Sequence, residues 1–181
     1  GTISYGWEWN TGAISEGTYN PRLTVYDASG LSASKTMFIG IDRTAPSMNQ
    51  PTVGDNSNWS DSTEVEIGNL ISSADDGSGS GIDYVEIMVD SEWQSYTSES
   101  VTMNFNEGQH QILVRAVDRV GNIGDSITVD VNVDTSEPEG IAWSVEELTT
   151  SRIGSVNISF SAQDLGSGID YDNTIPVSYT H

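Results

Sequence analysis

The chain contains no cysteine, which excludes a disulfide framework, a thiolate nucleophile and a thiolate metal site. The compartment stays open on this ground, because secreted prokaryotic domains of this size often lack disulfides. Basic residues are also scarce. Six Lys and Arg stand against 27 Asp and Glu, Lys35 is the only lysine, and the formal net charge is −21. Affinity for a phosphate backbone comes from cations that displace counterions, so nucleic acid is excluded as a partner, and an anionic membrane surface with it. No stretch is apolar for long enough to span a bilayer, and no signal peptide is present. A chain that opens at Gly1 within strand-like sequence is expected to be an internal fragment. Helical spacing of apolar residues is missing beyond single turns, which leaves an all-β fold.

What is abundant is acid, glycine and repetition. Glu16-Gly17, with Asp27 and Gly30 after it, recurs as Glu107-Gly108, Asp118 and Gly121, a shift of 91. Asp42-Arg43-Thr44-Ala45-Pro46 returns as Asp134-Thr135-Ser136-Glu137-Pro138, a shift of 92. Gly79-Ser80-Gly81-Ile82-Asp83-Tyr84 returns letter for letter at Gly166–Tyr171, a shift of 87. Three separated landmarks with nearly one period define a repeat of about 90 residues. Prolines punctuate it: residues 1–45 are expected to be the C-terminal half of one repeat, 46–137 a complete one, and 138–181 the N-terminal half of a third.

Strands follow from alternation with period two. In the middle repeat, residues 127–134 put Ile127, Val129, Val131 and Val133 on one face, and residues 110–118 do the same with Ile112, Val114 and Ala116. Further inward sets are Val65 with Ile67, Val85 with Ile87 and Val89, and Val101 with Met103 and Phe105. Short strands near 50–53 and 93–96 bring the total to about seven. Tyr19, Leu23 and Val25, then Met37, Ile39 and Ile41, form the matching sets of the first repeat, and Val156, Ile158, Phe160 and Ala162 alternate in the third. Seven short antiparallel strands between Gly-, Asp- and Asn-bearing turns predict an immunoglobulin-like β-sandwich.

The run from Glu107 to Asn122 (EGQHQILVRAVDRVGN), closing on Val133-Asp134 and a proline, resembles the second half of bacterial and archaeal immunoglobulin-like repeats. Trp7-Glu8-Trp9-Asn10-Thr11 with Gly17-Thr18-Tyr19, ending at Ile41–Pro46, is similar to the same family. The resemblance implies repeats of large extracellular surface proteins: adhesins, stalks or accessory regions of secreted hydrolases.

Little in the sequence carries catalysis. His110 and His181 are the only imidazoles; His110 begins a strand where the first repeat has Tyr19, a place for packing at a sandwich corner. No serine has a nucleophile-elbow context, and the GSG segments read as turns rather than phosphate loops. The chain is therefore not expected to be an enzyme. Trp7 and Trp9, two residues apart on one predicted strand face, raise sugar stacking as an alternative, although large aromatics more often fill cores. Asn58-Trp59-Ser60 and Asn157-Ile158-Ser159 are N-glycosylation sequons. Asp27 and Asp118, each three residues before a glycine, are expected to accept backbone N–H groups and close a turn.

The acidic residues have two readings. One is a solvated, self-repelling surface in which Asp42 and Asp134 end strands and the others cap turns. The other is Ca²⁺ at the junctions between repeats. In immunoglobulin-like connectivity the incoming linker shares a pole with two loops, so Asp42, Asp75, Asp76, Asp118 and Asn122 converge at one junction, and Asp134 and Asp164 begin the next. The sequence-level expectation is thus a non-catalytic spacer of a secreted or cell-surface protein, an adhesin or stalk. Its partners are neighbouring repeats and an unspecified surface protein or glycan. The alternative is an accessory, carbohydrate-binding module of a secreted hydrolase.

Overall fold

A computed structural model describes residues 2, 4–55, 58–145 and 158–174. Among them are fifteen strands and no helix. In chain order these are β1 Gly17–Tyr19, β2 Arg22–Tyr26, β3 Ser32–Thr36, β4 Ile39–Ile41, β5 Ser47–Met48, β6 Thr52–Val53, β7 Glu64–Gly68, β8 Ala74–Asp75, β9 Ile82–Val89, β10 Glu92–Tyr96, β11 Val101–Asn104, β12 Gly108–Asp118, β13 Ile127–Val133, β14 Glu139–Val145 and β15 Ile158–Gln163. The protein is all-β. Its two largest sheets, ordered β11-β7-β6 and β10-β9-β12-β13, have the strand order of an immunoglobulin-like β-sandwich.

The chain groups into two compact units. The first comprises Gly1–Gln50, Asn69–Glu99 and Leu113–Thr128. Its core lies on β9 and β12, where Val114 pairs with Ile87 and Ala116 with Val85; all four are fully buried. On the opposite face the same register sets Arg115 against Glu86, which form an ion pair at 2.6 Å. The Arg115 guanidinium also lies 3.9 Å over the Trp93 ring. After Val117, which pairs with Tyr84, the register skips Asp83 and places Asp118 opposite Ile82. This irregularity carries Val117 and then Asp118 inward, 2% and 1% exposed. Re-aiming one side chain is what a β-bulge does.

Residues 1–45 depart from simple alternation. The strand expected to carry Tyr19, Leu23 and Val25 is two strands, β1 paired with β4 and β2 paired with β3. Pro21 lies between them and has no N–H to donate, while its carbonyl accepts from Met37 N at 3.1 Å. Met37 accordingly lies outside β4. Leu23 and Val25 are 67% and 49% exposed. Trp7 and Trp9 lie on no strand, and so share no strand face. Trp9 instead packs edge-on against Tyr19, at 5.6 Å between ring centroids, and Trp7 is exposed.

The second unit comprises Pro51–Gly68, Ser100–Ile112 and Val129–His181. Ile67 stands between Val101 on one side and Val53 on the other, and Val65 pairs with Met103. Val65, Ile67, Ile112, Val129, Val131 and Val133 are buried. Gly68 pairs with Thr52, and a Cβ there would meet Thr52 Oγ1 at 2.6 Å. His110 packs against Phe105, at 5.4 Å between ring centroids, and a ring nitrogen lies 2.7 Å from the Asn106 carbonyl. That is a packing role. β14 and β15 form a separate ribbon in which Trp143 pairs with Phe160, both exposed.

Candidate cation centre

Asp42 follows β4, Asp76 follows β8 and Asp118 ends β12. Each offers one carboxylate oxygen to a cluster in which all three lie within 4.8 Å of one another. At that spacing each like-charged pair repels by about 3 to 4 kcal/mol at the effective dielectric found near protein surfaces. Among the described residues no Lys or Arg forms an ion pair with them. Backbone amides supply part of the compensation instead. Ser80 N donates to Asp42 Oδ2 at 2.6 Å and Gly81 N to Asp76 Oδ2 at 2.6 Å. Val120 N and Asn122 N donate to Asp118 Oδ1 at 3.0 and 2.8 Å, and Asn122 Nδ2 to Asp118 Oδ2 at 2.7 Å.

Burial pushes the Asp118 carboxyl up. The bonds from the Asn122 side chain and from the Asn122, Val120 and Gly121 amides outweigh it, so the group stays below the ordinary carboxylate range. Asp27 uses the same local geometry, accepting Ser29 N, Ser29 Oγ and Leu31 N on Oδ1 at 2.9, 2.7 and 2.9 Å. Its carboxyl is lowered, first by the Ser29 hydroxyl. Both aspartates close their turns as the sequence implies.

Two features at the cluster go beyond turn closure. Gly79 stands where a Cβ would lie 2.5 Å from Asp76 Oδ2 and 2.7 Å from Asp42 Oδ2, so any other residue would push the carboxylates apart. Asp76 Oδ1 and Ser80 Oγ are buried without a hydrogen-bond partner. Such atoms cost about 1 to 3 kcal/mol each when left unpaired, and a cation satisfies oxygen lone pairs directly.

Of the other candidate ligands, Asn122 is hydrogen-bonded to Asp118 of this trio, while Asp75 is not among its three carboxylates. Asp75 is exposed and accepts Gly77 N at 2.7 Å. Asn122 turns its amide nitrogen toward Asp118 and the Thr44 carbonyl, 3.3 Å away. Asp134 and Asp164 repeat the bonds of Asp42 and Asp76. Ser167 N donates to Asp134 Oδ2 at 2.6 Å, and Gly168 N to Asp164 Oδ1 at 3.0 Å. The Ser167 amide leads the contributions that lower the Asp134 carboxyl. Asp42 Oδ1 accepts Thr44 N at 3.2 Å and Asp134 Oδ1 accepts Ser136 N at 3.1 Å. Thus each Asp after an outgoing strand holds both its linker and the GSG turn that follows.

The sequence also contained a partner that alternation does not reveal. Glu16 Oε1 accepts Arg43 N at 2.6 Å and its Oε2 accepts Thr44 Oγ1 at 2.8 Å. Glu107 accepts Ser136 Oγ in the same way. The signal lay in two landmarks already visible, Glu-Gly recurring at 91 and a hydroxyl residue two places after Asp recurring at 92. Their pairing required the fold. Of the sequons, Asn58 is exposed and its carbonyl accepts Asn132 Nδ2 at 2.9 Å. Asn157, Val156 and His181 lie outside the described residues.

No family model matches the chain, and no curated protein matches it. Among solved structures, the chain is similar to the fibronectin(III)-like modules of Clostridium thermocellum CbhA, at 19% identity and a TM-score of 0.36. The match covers 66% of this chain and 64% of that one.

Proposed function

We propose that the chain is a non-catalytic spacer: tandem immunoglobulin-like repeats of a secreted or cell-surface protein of the adhesin or stalk type. The observation that carries this reading is the linker clamp, built twice from matching residues: Glu16, Asp42 and Thr44 with Ser80, then Glu107, Asp134 and Ser136 with Ser167. A linker held by carboxylates through both its amide and its hydroxyl loses the freedom that a Gly-rich linker keeps. Its mechanism is therefore mechanical, the transmission of orientation from one repeat to the next. Double replacement Glu107→Ala with Asp134→Ala should broaden the distribution of end-to-end distances measured between dyes at residues 95 and 160. An unchanged distribution would remove the clamp.

Ca²⁺ at the Asp42–Asp76–Asp118 junction belongs to the same proposal. The oxygen-only donor set suits a hard cation that takes six to eight oxygen ligands. The unpaired Asp76 Oδ1 and Ser80 Oγ are what favour it over a merely solvated acidic rim. A ligand that binds the native state raises stability as its concentration grows. Melting temperature should therefore rise with Ca²⁺ over an EDTA control at matched ionic strength, and Asp76→Asn should abolish the rise. Identical curves with Ca²⁺ and EDTA would leave the acidity as a matter of solubility alone.

A further inference from the structure

One polar groove in the second unit belongs neither to the core nor to the linker clamp. Gln109 and Gln111 on β12, with Asp130 and Asn132 on the neighbouring β13, alternate with buried Ile112, Val129, Val131 and Val133, so their side chains stand on the outer face of the two strands. They line a concavity of about 520 Å³. That lies within the range of small-molecule sites, about 300 to 1,000 Å³. A second concavity of about 200 Å³ shares Asp130 and Asn132 and continues to Asn58 and Ser60.

The groove is built in advance of any ligand. Gln111 Nε2 donates to Asp130 Oδ1 at 2.8 Å, and Asn132 Nδ2 donates to the Asn58 carbonyl at 2.9 Å. Ser60 N donates to the Asn132 carbonyl at 2.8 Å and its own carbonyl accepts Asp134 N at 2.9 Å, which holds this wall against the edge of β13. Amides and carboxylates carry several donors and acceptors each. These bonds therefore orient the side chains and leave polar atoms to meet a ligand. The fold itself does not demand this face. At the shifts of 91 and 92 that align Glu107 with Glu16 and Asp134 with Asp42, the four strand positions hold Thr18, Asn20, Phe38 and Gly40 in the preceding repeat. The clamp recurs and the groove residues do not.

We infer that this groove binds a neutral, hydroxyl-rich ligand, a saccharide held against Gln111, Asp130 and Asn132. The site is separate from the spacer role and does not depend on it. Among the described residues lining the groove, Asp130 is the only carboxylate and none is Lys or Arg. An anionic ligand would find no cation there, and would approach a chain of net charge −21. One carboxylate also falls short of the oxygen set that Ca²⁺ takes. Val53 is the only large apolar side chain among them, so an apolar peptide anchor would find no pocket. Neighbouring sugar hydroxyls both donate and accept, and so match a carboxylate set beside amides. One hydroxyl donates to Asp130 in a charge-assisted bond, while the next accepts an amide N–H of Gln111 or Asn132.

The test is a heteronuclear NMR titration of the full 181-residue chain in EDTA. The probes are neutral oligosaccharides of glucose, mannose, galactose and N-acetylglucosamine, with heparin as the anionic probe. At least one neutral oligosaccharide should shift the amides of Gln111, Asp130 and Asn132, and heparin should not. Asp130→Ala should weaken that binding about tenfold or more, as loss of a hydrogen bond to a charged group does. Glu64→Ala, on β7 outside the groove, should leave it unchanged. Asp130 and Glu64 are both exposed, so the main melting transition should move little in either variant. Absence of shifts with every neutral probe, equal shifts with heparin, or binding that survives Asp130→Ala would each overturn the inference. The clamp and the cation centre use other residues, so their tests succeed or fail separately.

Discussion

Replacing Asp118 by alanine removes one acceptor from three donors at once: the amides of Val120 and Asn122 and the Asn122 side chain. Asp118 is 1% exposed, so water does not readily replace it. The substitution should cost about 1 to 3 kcal/mol, the range for buried donors left unpaired, read as a lower urea midpoint in EDTA. The effect should also depend on pH. The folded carboxyl lies below its ordinary value of 3.8, so it binds its proton less readily than in the unfolded chain. Its contribution is then full above the unfolded pKa and is lost as pH falls through the folded one. The gap between wild type and Asp118→Ala should hold steady above about pH 5 and shrink below about pH 4. A gap that widens on acidification would place the carboxyl in a different environment. Asp118 was legible in the sequence because its bonds run to residues two and four places on. Glu107 was not, since its partner Ser136 is 29 residues away and no local spacing encodes that distance.

At the scale of the strand, alternation was legible wherever one face is buried and the other solvated. β7, β9, β12 and β13 read directly because Val, Ile and Ala alternate with Glu, Arg, Asp and Asn. β14 carries Ile141, Ala142 and Trp143 in succession, a run without period two that gives no strand signal of its own. Pro21 broke the other expectation, since a missing N–H ends a ladder that apolar spacing alone would continue. These differences set the cost of mutation. Ile87→Ala, at a fully buried position on β9 between neighbours on β10 and β12, should cost about 2 to 5 kcal/mol by loss of transfer energy and cavity formation. Leu23→Ala, at a position 67% exposed, should shift the monomer's urea midpoint by less than a fifth of that loss. Equal losses at the two positions would mean that Leu23 is already buried in the monomer.

Across the whole molecule, repetition was the most informative property of the sequence. The recurrence of Asp42 as Asp134 and of Ser80 as Ser167 acquires meaning because the same bond at 2.6 Å forms twice. Among the described residues the fully buried side chains fall between Val65 and Val133, within residues 46–137, whereas β2 and the β14–β15 ribbon leave large apolar side chains open. Local opening free energy follows such burial. A protease should therefore trim dilute protein from both ends first and leave a resistant fragment near residues 46–137, identified by mass. Ends as resistant as the centre in dilute, monomeric protein would mean that the cohesive unit is not the repeat from Pro46 to Glu137, and that the prolines do not mark its limits.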